Sequence, residues 1–507
     1  MTVLFGSVVG QVADFVQPNL DYHALAPELV LVGAIVVVLL VDLVLPEHVR
    51  GVTAAVAGLG LLATMVPVLT LAIDGADRAM FGGAFVVDNF ALVFKALFLI
   101  SGYLTVLIST QYITDGDYWE GEYYFLLLSS LLGMVVIASA RDLITIFVAL
   151  ELLSIPAYML AGWRKRDVRS NEAALKYYLL GVLASGVMLY GMSLVFGVTG
   201  TTLLSGISEQ LGSTDGVALV GVGIVFILVG FAFKVSAVPF HQWAPDTYDG
   251  APTPVAAFLS VASKAAGFVA LLQLVYLGFF GQSDIWQPFF WILAAATMTV
   301  GNLIALRQTN IVRLLAYSSV AQAGFMLVPL AVAGESPGAA GTALEAVVTY
   351  LLVYAVMNIG AFAMVIAVAR KTRSGDIDSY GGLFQYAPGL ALMMTFFLFS
   401  LAGIPPLGGW VAKLVVFRAV LDAGTLSAII LGVITALNAV VALFYYANVS
   451  RQMWFLDPPD GDVTPVQVPA SLGAALGICA VATLVIGVAP TVVTHFGDLA
   501  TFTVALP

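Results

Sequence analysis

The 507-residue sequence holds one cysteine, Cys479, and four histidines, His23, His48, His241 and His495. A single thiol excludes an iron–sulfur cluster, a cysteine-type zinc site and an internal disulfide within the chain. Only His241 lies deep in apolar sequence, so cytochrome-style ligation of haem is excluded as well. Charge is equally scarce: Asp, Glu, Lys and Arg make up 10% of residues, against about a quarter of a soluble domain. The balance is acidic, at a formal net charge of −11, which argues against nucleic acid as a partner and against a polybasic lipid anchor. The first twenty residues contain no Lys or Arg. They do not read as a cleaved secretory signal, and the first apolar segment is expected to be retained.

Hydrophobic sequence fills the space: 61% of residues are apolar and the mean hydropathy is +1.02. That composition specifies an all-α polytopic membrane protein lying in a lipid bilayer, since a span needs about 20 apolar residues. Fourteen such stretches are expected, near residues 25–45, 52–73, 86–110, 122–140, 142–162, 171–199, 217–240, 252–277, 286–306, 311–333, 339–369, 385–417, 424–448 and 468–490. The connections leave no room for a soluble domain, so 1–507 reads as a single membrane domain. Its expected parts are three N-terminal spans (1–110), a first five-span unit (122–277), a second (286–448) and a last span (468–490).

Basic residues in the connections set the orientation. Connections after odd-numbered spans carry Arg50, Arg164, Lys165, Arg166, Arg169, Arg307, Arg313, Arg370, Lys371, Arg373 and Arg451, whereas those after even-numbered spans carry only Arg78, Arg141 and Arg418. Both termini are therefore expected outside a cell membrane, with the 5–6 and 11–12 connections in the cytoplasm.

The remaining basic residues are Lys95, Lys176, Lys234, Lys264 and Lys413, and all fall inside expected spans. Five of seven lysines are thus intramembrane, and none of the twelve arginines is. Each such charge facing lipid costs roughly 2.5–3.5 kcal/mol even on the mild insertion scale, about 12–18 kcal/mol for the set. They must face the interior, pair, or shed protons. Buried lysine can shed its proton and arginine cannot, so the partition suits protonation and deprotonation within the membrane. The competing reading is snorkelling to the interface, strongest for Lys95 and Lys176 and weakest for the deeper Lys234, Lys264 and Lys413.

One acid stands at mid-span: Glu151, in LITIFVALELLSIPAYML. It calls for a basic partner on another helix, Lys176 or Lys234, or else is a protonated carboxyl bonded to a serine. Asp42 and Asp88 near span ends read as interfacial. Two spans contain helix breakers. Pro239 follows Lys234 by five residues, and Pro405 and Pro406 precede Lys413 by eight and seven. Unwound backbone at membrane depth is tolerated where it is buried in protein or lines a watery cavity. A lysine-bearing broken helix in each half fits two inverted repeats, spans 4–8 and 9–13, with broken helices 7 and 12. His241, seven residues after Lys234, either hands protons across the first break or is a satisfied core histidine.

The run KVSAVPFHQWAPDTYDGAPTPVAAFLSVASKAAGF, Lys234 to Phe268, resembles the signature of the antiporter-like subunits of respiratory complex I, relatives of multi-subunit sodium/proton antiporters. LKYYLLGVLASGVMLYG from Leu175, RLLAYSSVAQAGF from Arg313 and AGIPPLGGWVAK from Ala402 resemble the same family in the same order. Within it the N-type branch of NADH-quinone oxidoreductase is most similar. The chain ends about 17 residues after its last expected span, without the lateral helix of the L-type, and has Lys413 where the M-type has glutamate. The resemblance implies a proton-translocating subunit without redox chemistry of its own, set among other membrane-arm subunits, with quinone, FMN and iron–sulfur clusters on partner subunits of the assembly. It implies that Glu151 and Lys234 form an ion pair, that Lys264 connects inward, that Lys413 serves the outlet, and that Lys176 lies near the cytoplasmic inlet. The sequence departs from the family at Gln322, where histidine is usual, and that relay position is expected to be bridged by water. Lys95 matches no family role. A multi-subunit sodium/proton antiporter is the alternative.

Overall fold

The computed structural model describes residues 20–44, 51–75, 77–116, 118–212, 217–336, 338–459 and 461–502. The readings of the N-terminal stretch and of Arg50 concern residues outside that set. The first helices are α1 (Ala26–Val44), α2 (Val52–Asp74), α3 (Asn89–Asp115), α4 (Glu120–Ser139), α5 (Leu143–Ala161) and α6 (Val168–Thr199). A short hairpin, β1 (Arg78–Met80) against β2 (Phe85–Val87), joins α2 to α3 with Arg78 opposite Val87. Then come α7 (Leu204–Leu211), α8 (Val217–Lys234), α9 (Trp243–Gly250), α10 (Thr253–Phe258) and α11 (Lys264–Gln273). A π-helical turn, Leu259–Ser263, joins α10 to α11, and another, Leu274–Gly278, continues the same long helix. The second half contains α12 (Ser283–Ala305), α13 (Ile311–Val332), α14 (Ala339–Thr372), α15 (Leu383–Tyr386), α16 (Pro388–Ala402), α17 (Gly408–Ala423), α18 (Leu426–Phe455), α19 (Ala470–Val488) and α20 (Thr491–Leu499).

Helix starts are written in polar caps. Asp88 accepts from Ala91 N, Asp142 from Ile144 N and Thr145 N, Asp167 from Arg169 N, Asn310 from Val312 N and Arg313 N, and Thr425 from Ala428 N. Each satisfies amide donors that the first helical turn leaves free.

Among the described residues twelve helices are long and apolar enough to cross a membrane, which makes this a multi-pass membrane protein. The expectation of fourteen differs at two places, the seventh and twelfth spans. There the apolar helices are shorter, Ala218–Lys234 and Pro388–Ala402, because Pro239 and the Pro405–Pro406 pair cannot continue an α-helical ladder. The expected 385–417 span is instead three pieces, α15, α16 and α17.

Thr253–Gly278 is buried throughout its length, and α13 and α14 nearly so, while α1, α2, α6, α18 and α19 bury only a stripe. Apolar sequence alone does not rank helices this way, since lipid is as apolar as the protein interior. Small residues let particular helices approach closely. At the α12–α13 crossing a Cβ on Gly301 would lie 2.8 Å from Ala321 N, and one on Gly324 2.6 Å from Met298 N.

Candidate functional site

The two interruptions position the deepest lysines. After Lys234 the chain turns through Ser236, at φ 61°, and a cis Val238–Pro239 bond before α9 begins. Backbone groups at the break find partners: Trp243 Nε1 donates to Phe233 O at 2.9 Å, and Val238 N donates to Thr297 Oγ1 at 3.0 Å. In the second half Gly409 N donates to Ser400 Oγ at 3.1 Å, and Lys413 Nζ donates to Ala402 O, the last residue of α16. Lys413 thus caps the negative end of a helix dipole inside the protein. Each break is closed by a side chain that reaches over it, as backbone at membrane depth requires.

Lys234 Nζ, buried at the end of α8, lies 2.8 Å from Ser154 Oγ and 3.5 Å from Tyr177 Oη. Glu151 accepts from Ser185 Oγ at 2.6 Å, between α5 and α6. Among the described residues no cation lies within 4.0 Å of Glu151, so the expected Glu151–Lys234 ion pair is not formed. The physical reason is competition: one turn along α5, Ser154 meets Lys234, while Ser185 takes the carboxylate. Lys176 is not the partner either. It pairs with Glu172 at 2.7 Å on its own helix and with Asp246 of α9 at 2.8 Å.

Beyond Lys264 further buried polar groups follow, some joined by hydrogen bonds and some only adjacent along the chain. Lys264 Nζ is 2.5 Å from both Ser319 O and Ser319 Oγ. The neighbouring Ser318 bonds Tyr446, Gln322 Nε2 lies 3.4 Å from Tyr446 Oη, and Tyr350 donates to Gln322 Oε1. Gln322 Nε2 also donates to Leu401 O at 3.0 Å, and the next carbonyl, Ala402, receives Lys413. Between Lys234 and Lys264 the packing is close: a Cβ on Gly267, one turn beyond Lys264, would lie 3.2 Å from Lys234 Cγ. Beside this junction lie the buried hydroxyls of Ser263, Tyr248 and Tyr354. Asn358 Nδ2 donates to Ser260 Oγ at 2.7 Å on the adjoining turn. His241 lies within the first break, half-buried, and its Nδ1 has no hydrogen-bond partner.

Two buried ion pairs lie away from this run. Lys95 Nζ is 2.7 Å from Glu28 Oε1, so Lys95 does not snorkel. Asp88, at the start of α3, is fully buried and lies 2.7 Å from Arg141 Nη2. Arg141 also donates to Ala138 O and Ala140 O, filling the extended turn between α4 and α5. Both acids pair with a cation distant in sequence, which span-end position alone does not reveal. Sequence reasoning also missed Ser154, Ser185, Ser319, Tyr350 and Tyr446. A hydroxyl in an apolar helix more often bonds the carbonyl one turn back, as Thr105 does to Ser101 O at 2.7 Å, so it gives no signal. The π-helical turn just before Lys264 is a signal of another kind, since such turns cluster at functional sites, but it is visible only in the backbone. No cluster of three or more His, Cys, Asp or Glu side chains able to hold a metal occurs among the described residues.

Residues 140–438 match the family model described as NADH:quinone oxidoreductase/Mrp antiporter, TM. The NADH-quinone oxidoreductase subunit N of Trichlorobacter lovleyi is 40% identical over 486 residues, 95% of this chain and 97% of that one. The NAD(P)H-quinone oxidoreductase subunit 2 of Synechococcus elongatus is 40% identical over 480 residues, 93% of this chain and 90% of its own. A chain of respiratory complex I from Thermus thermophilus superposes with a TM-score of 0.76 at 32% identity, covering 92% of this chain and 98% of that one. A chain of the Mrp complex from Dietzia sp. has a TM-score of 0.81 at 21% identity, covering 95% and 97%, a likeness of fold. The matched segment takes in both helix breaks and all the lysines that line the polar run, and the chain belongs to the NADH:quinone oxidoreductase/Mrp antiporter family of transmembrane proteins.

Proposed function

We propose that this chain is the proton-translocating N-type membrane subunit of a complex I-type NADH-quinone oxidoreductase, with Glu151, Lys176, Lys234, Lys264, Lys413 and His241 as its proton path. The observation that carries the reading is the series of buried polar groups that leads from Lys264 through Ser319, Ser318, Tyr446 and Gln322 to Lys413, set in a predominantly apolar helix bundle. A run of titratable and hydroxyl groups at membrane depth is expensive to bury and is kept where protons or ions move. Gln322 cannot titrate but both donates and accepts, so it passes a proton between flanking waters and hydroxyls without holding it.

Electrons do not enter the chain on this reading. Quinone, FMN and iron–sulfur clusters belong to partner subunits, and redox energy arrives as a change of electrostatics along the axis. Glu151 with Ser185 is the receiving end. Its carboxyl is half-buried on the α5–α6 face, whose surroundings are exposed Leu175, Leu179, Leu183 and Leu189. A carboxylate at that depth cannot face lipid, so another membrane-arm subunit covers this face. Moving the Glu151 carboxyl from Ser185 to Lys234 would hold the lysine protonated; moving it back would release the proton toward Lys264.

Fourteen membrane crossings and two inverted repeats, 122–277 and 286–448, follow from counting each interrupted helix as one span. Paired local features support the repeat. Asp142 starts α5 as a side-chain cap and bridges Leu203 after α6, and Asn310 starts α13 in the same way and bridges Asp376 after α14. The interruptions at Pro239 and at Pro405–Pro406 fall in matching spans. Loop charge puts both termini outside the cytoplasmic membrane.

Proton uptake into inverted membrane vesicles, followed with quinone reduction in the same sample, tests the proposal. Lys234→Ala is expected to abolish uptake per electron, or both activities together. Unchanged uptake with normal assembly would overturn it. The antiporter reading draws on the fold likeness to the Mrp complex and predicts sodium-dependent exchange without quinone reduction.

A further inference from the structure

Asp246 stands on α9, the half-helix that resumes the seventh span after Pro239, and cations from two different helices hold its two carboxylate oxygens. Lys176 Nζ on α6 is 2.8 Å from Oδ2, and Arg313 Nη1 on α13 is 3.0 Å from Oδ1. These helices belong to different halves of the chain, one in 122–277 and the other in 286–448. The other charged groups facing this point are Glu172, 2.7 Å from Lys176, and Asp249, 3.9 Å from Arg313. At the far end of α9, Arg164 donates to Gly250 O at 2.8 Å and Ala251 O at 3.2 Å. An eight-residue helix is thus pinned at its end by Arg164 and in its first turn by Asp246.

The pin connects to the buried lysine. Trp243 begins α9, three residues before Asp246. Its indole bonds Phe233 O, a carbonyl at the end of α8 that also accepts from Ser236 N at 3.0 Å, and its ring stacks on Tyr177 with centroids 4.4 Å apart at 11°. Tyr177 in turn faces Lys234, its hydroxyl 3.5 Å from Nζ and its ring centroid 5.9 Å away. One turn of helix therefore separates the carboxylate at the cytoplasmic inlet from the aromatic pair that positions Lys234.

We propose that Asp246 is a positioning residue that couples occupancy of the cytoplasmic inlet to the setting of the seventh-span break. While Asp246 holds Lys176 and Arg313 together, α9 keeps Trp243 against Phe233 O and Tyr177, and Lys234 stays turned to Ser154. When Lys176 lets go of Oδ2, Arg313 alone holds α9, and Trp243, Tyr177 and Lys234 shift as a unit. The carboxylate does not take up the translocated proton; it decides where the group that does take it up points. This inference rests on the proton path proposed above.

The test uses the assembled complex in inverted vesicles, with activities normalised to its amount on native gels. Asp246→Asn removes the charge at nearly constant shape and is expected to lower turnover about tenfold, the loss that corresponds to one charge-assisted hydrogen bond, and to lower proton uptake per electron. Asp246→Glu is expected to recover turnover to within about threefold of wild type, since it restores a charge able to bridge both cations. Trp243→Phe, which deletes the bond to Phe233 O and reduces the ring stacked on Tyr177, is expected to reproduce the Asn phenotype and to add nothing to it in the double variant. A smaller amount of complex with unchanged turnover and uptake per electron would overturn the proposal, as would Glu performing no better than Asn. Should Asp246→Asn fail to assemble, Lys176→Gln frees Oδ2 alone and must show the same loss. Lys234→Ala in the same preparation separates the two claims. If it leaves pumping intact the proton path itself is wrong, whereas a dead Lys234→Ala beside a normal Asp246→Asn rejects Asp246 alone.

Discussion

Lys413 Nζ donates to Ala402 O, the carbonyl that ends the helix interrupted by Pro405 and Pro406. One side chain is therefore both the backbone partner of a break and the far end of the polar run. Its two roles separate by substitution. Lys413→Gln keeps a donor for the carbonyl and is expected to assemble normally while proton uptake per electron collapses. Lys413→Leu leaves the carbonyl unpaired, a penalty of about 1–3 kcal/mol, and is expected to reduce the amount of complex on native gels as well. Normal uptake with Lys413→Gln would remove Lys413 from the path.

Ser185 holds the Glu151 carboxyl at 2.6 Å while Lys234 is bonded elsewhere. Ser185→Ala removes the bond but leaves the charge. It is expected to change turnover by no more than about tenfold, the worth of one charge-assisted hydrogen bond, whereas Glu151→Gln is expected to suppress uptake far more. Equal defects in the two variants would show that the serine, not the carboxylate charge, is what matters there.

The Glu28–Lys95 pair ties α1 to α3 away from the polar run, with side-chain exposures of 10% and 0%. Removing one partner strands a buried charge. Lys95→Leu alone is expected to destabilise the chain by roughly 3–5 kcal/mol, and Glu28→Leu with Lys95→Leu to recover most of it. Thermal inactivation of the purified complex reads the difference. Uptake per electron should stay at wild-type level in the double variant, and a loss would place this pair on the path.

Glycines of this chain differ in what an added Cβ would meet. A Cβ on Gly409 would overlap Ser400 O, a backbone atom that cannot move aside, whereas one on Gly341 meets nothing within 4 Å. Gly409→Ala is expected to abolish assembled complex, and Gly341→Ala to leave its amount unchanged. Native gels of the two membranes decide it. Assembly of Gly409→Ala at wild-type level would mean that α16 and α17 pack less closely than the structure has them.

Several features were legible before any folding. Apolar runs the length of a bilayer specify helices because unpaired backbone polar groups are too costly in lipid, so membrane class and span positions follow from composition. Proline marks Pro239 and Pro405–Pro406 as breaks for an equally local reason, the missing N–H and the ring clash. Lysines at mid-span announce a site because no cheaper explanation exists for a charge at that depth.

Partners were not legible. Glu151 was matched by charge to Lys234 or Lys176, or else to a serine that the sequence did not single out; Ser185 holds it, Ser154 holds Lys234, and Asp246 and Glu172 hold Lys176. Such choices depend on which helix faces cross, and helix faces in a membrane are ordered by close packing of small residues rather than by hydrophobicity, which is uniform along these segments. Asp88 at a span end had no partner in the sequence for the same reason, and only the fold places Arg141 2.7 Å away, with the acid fully buried. The sequence by itself therefore determined that the chain crosses a membrane, where its helices break, and which titratable groups lie at depth, since each is a property of one residue against its solvent. Which of those groups touch, and in what order they line up from Lys176 to Lys413, was decided by tertiary structure alone, because hydrogen bonds of 2.5–3.5 Å are made by the crossing of helices far apart in sequence.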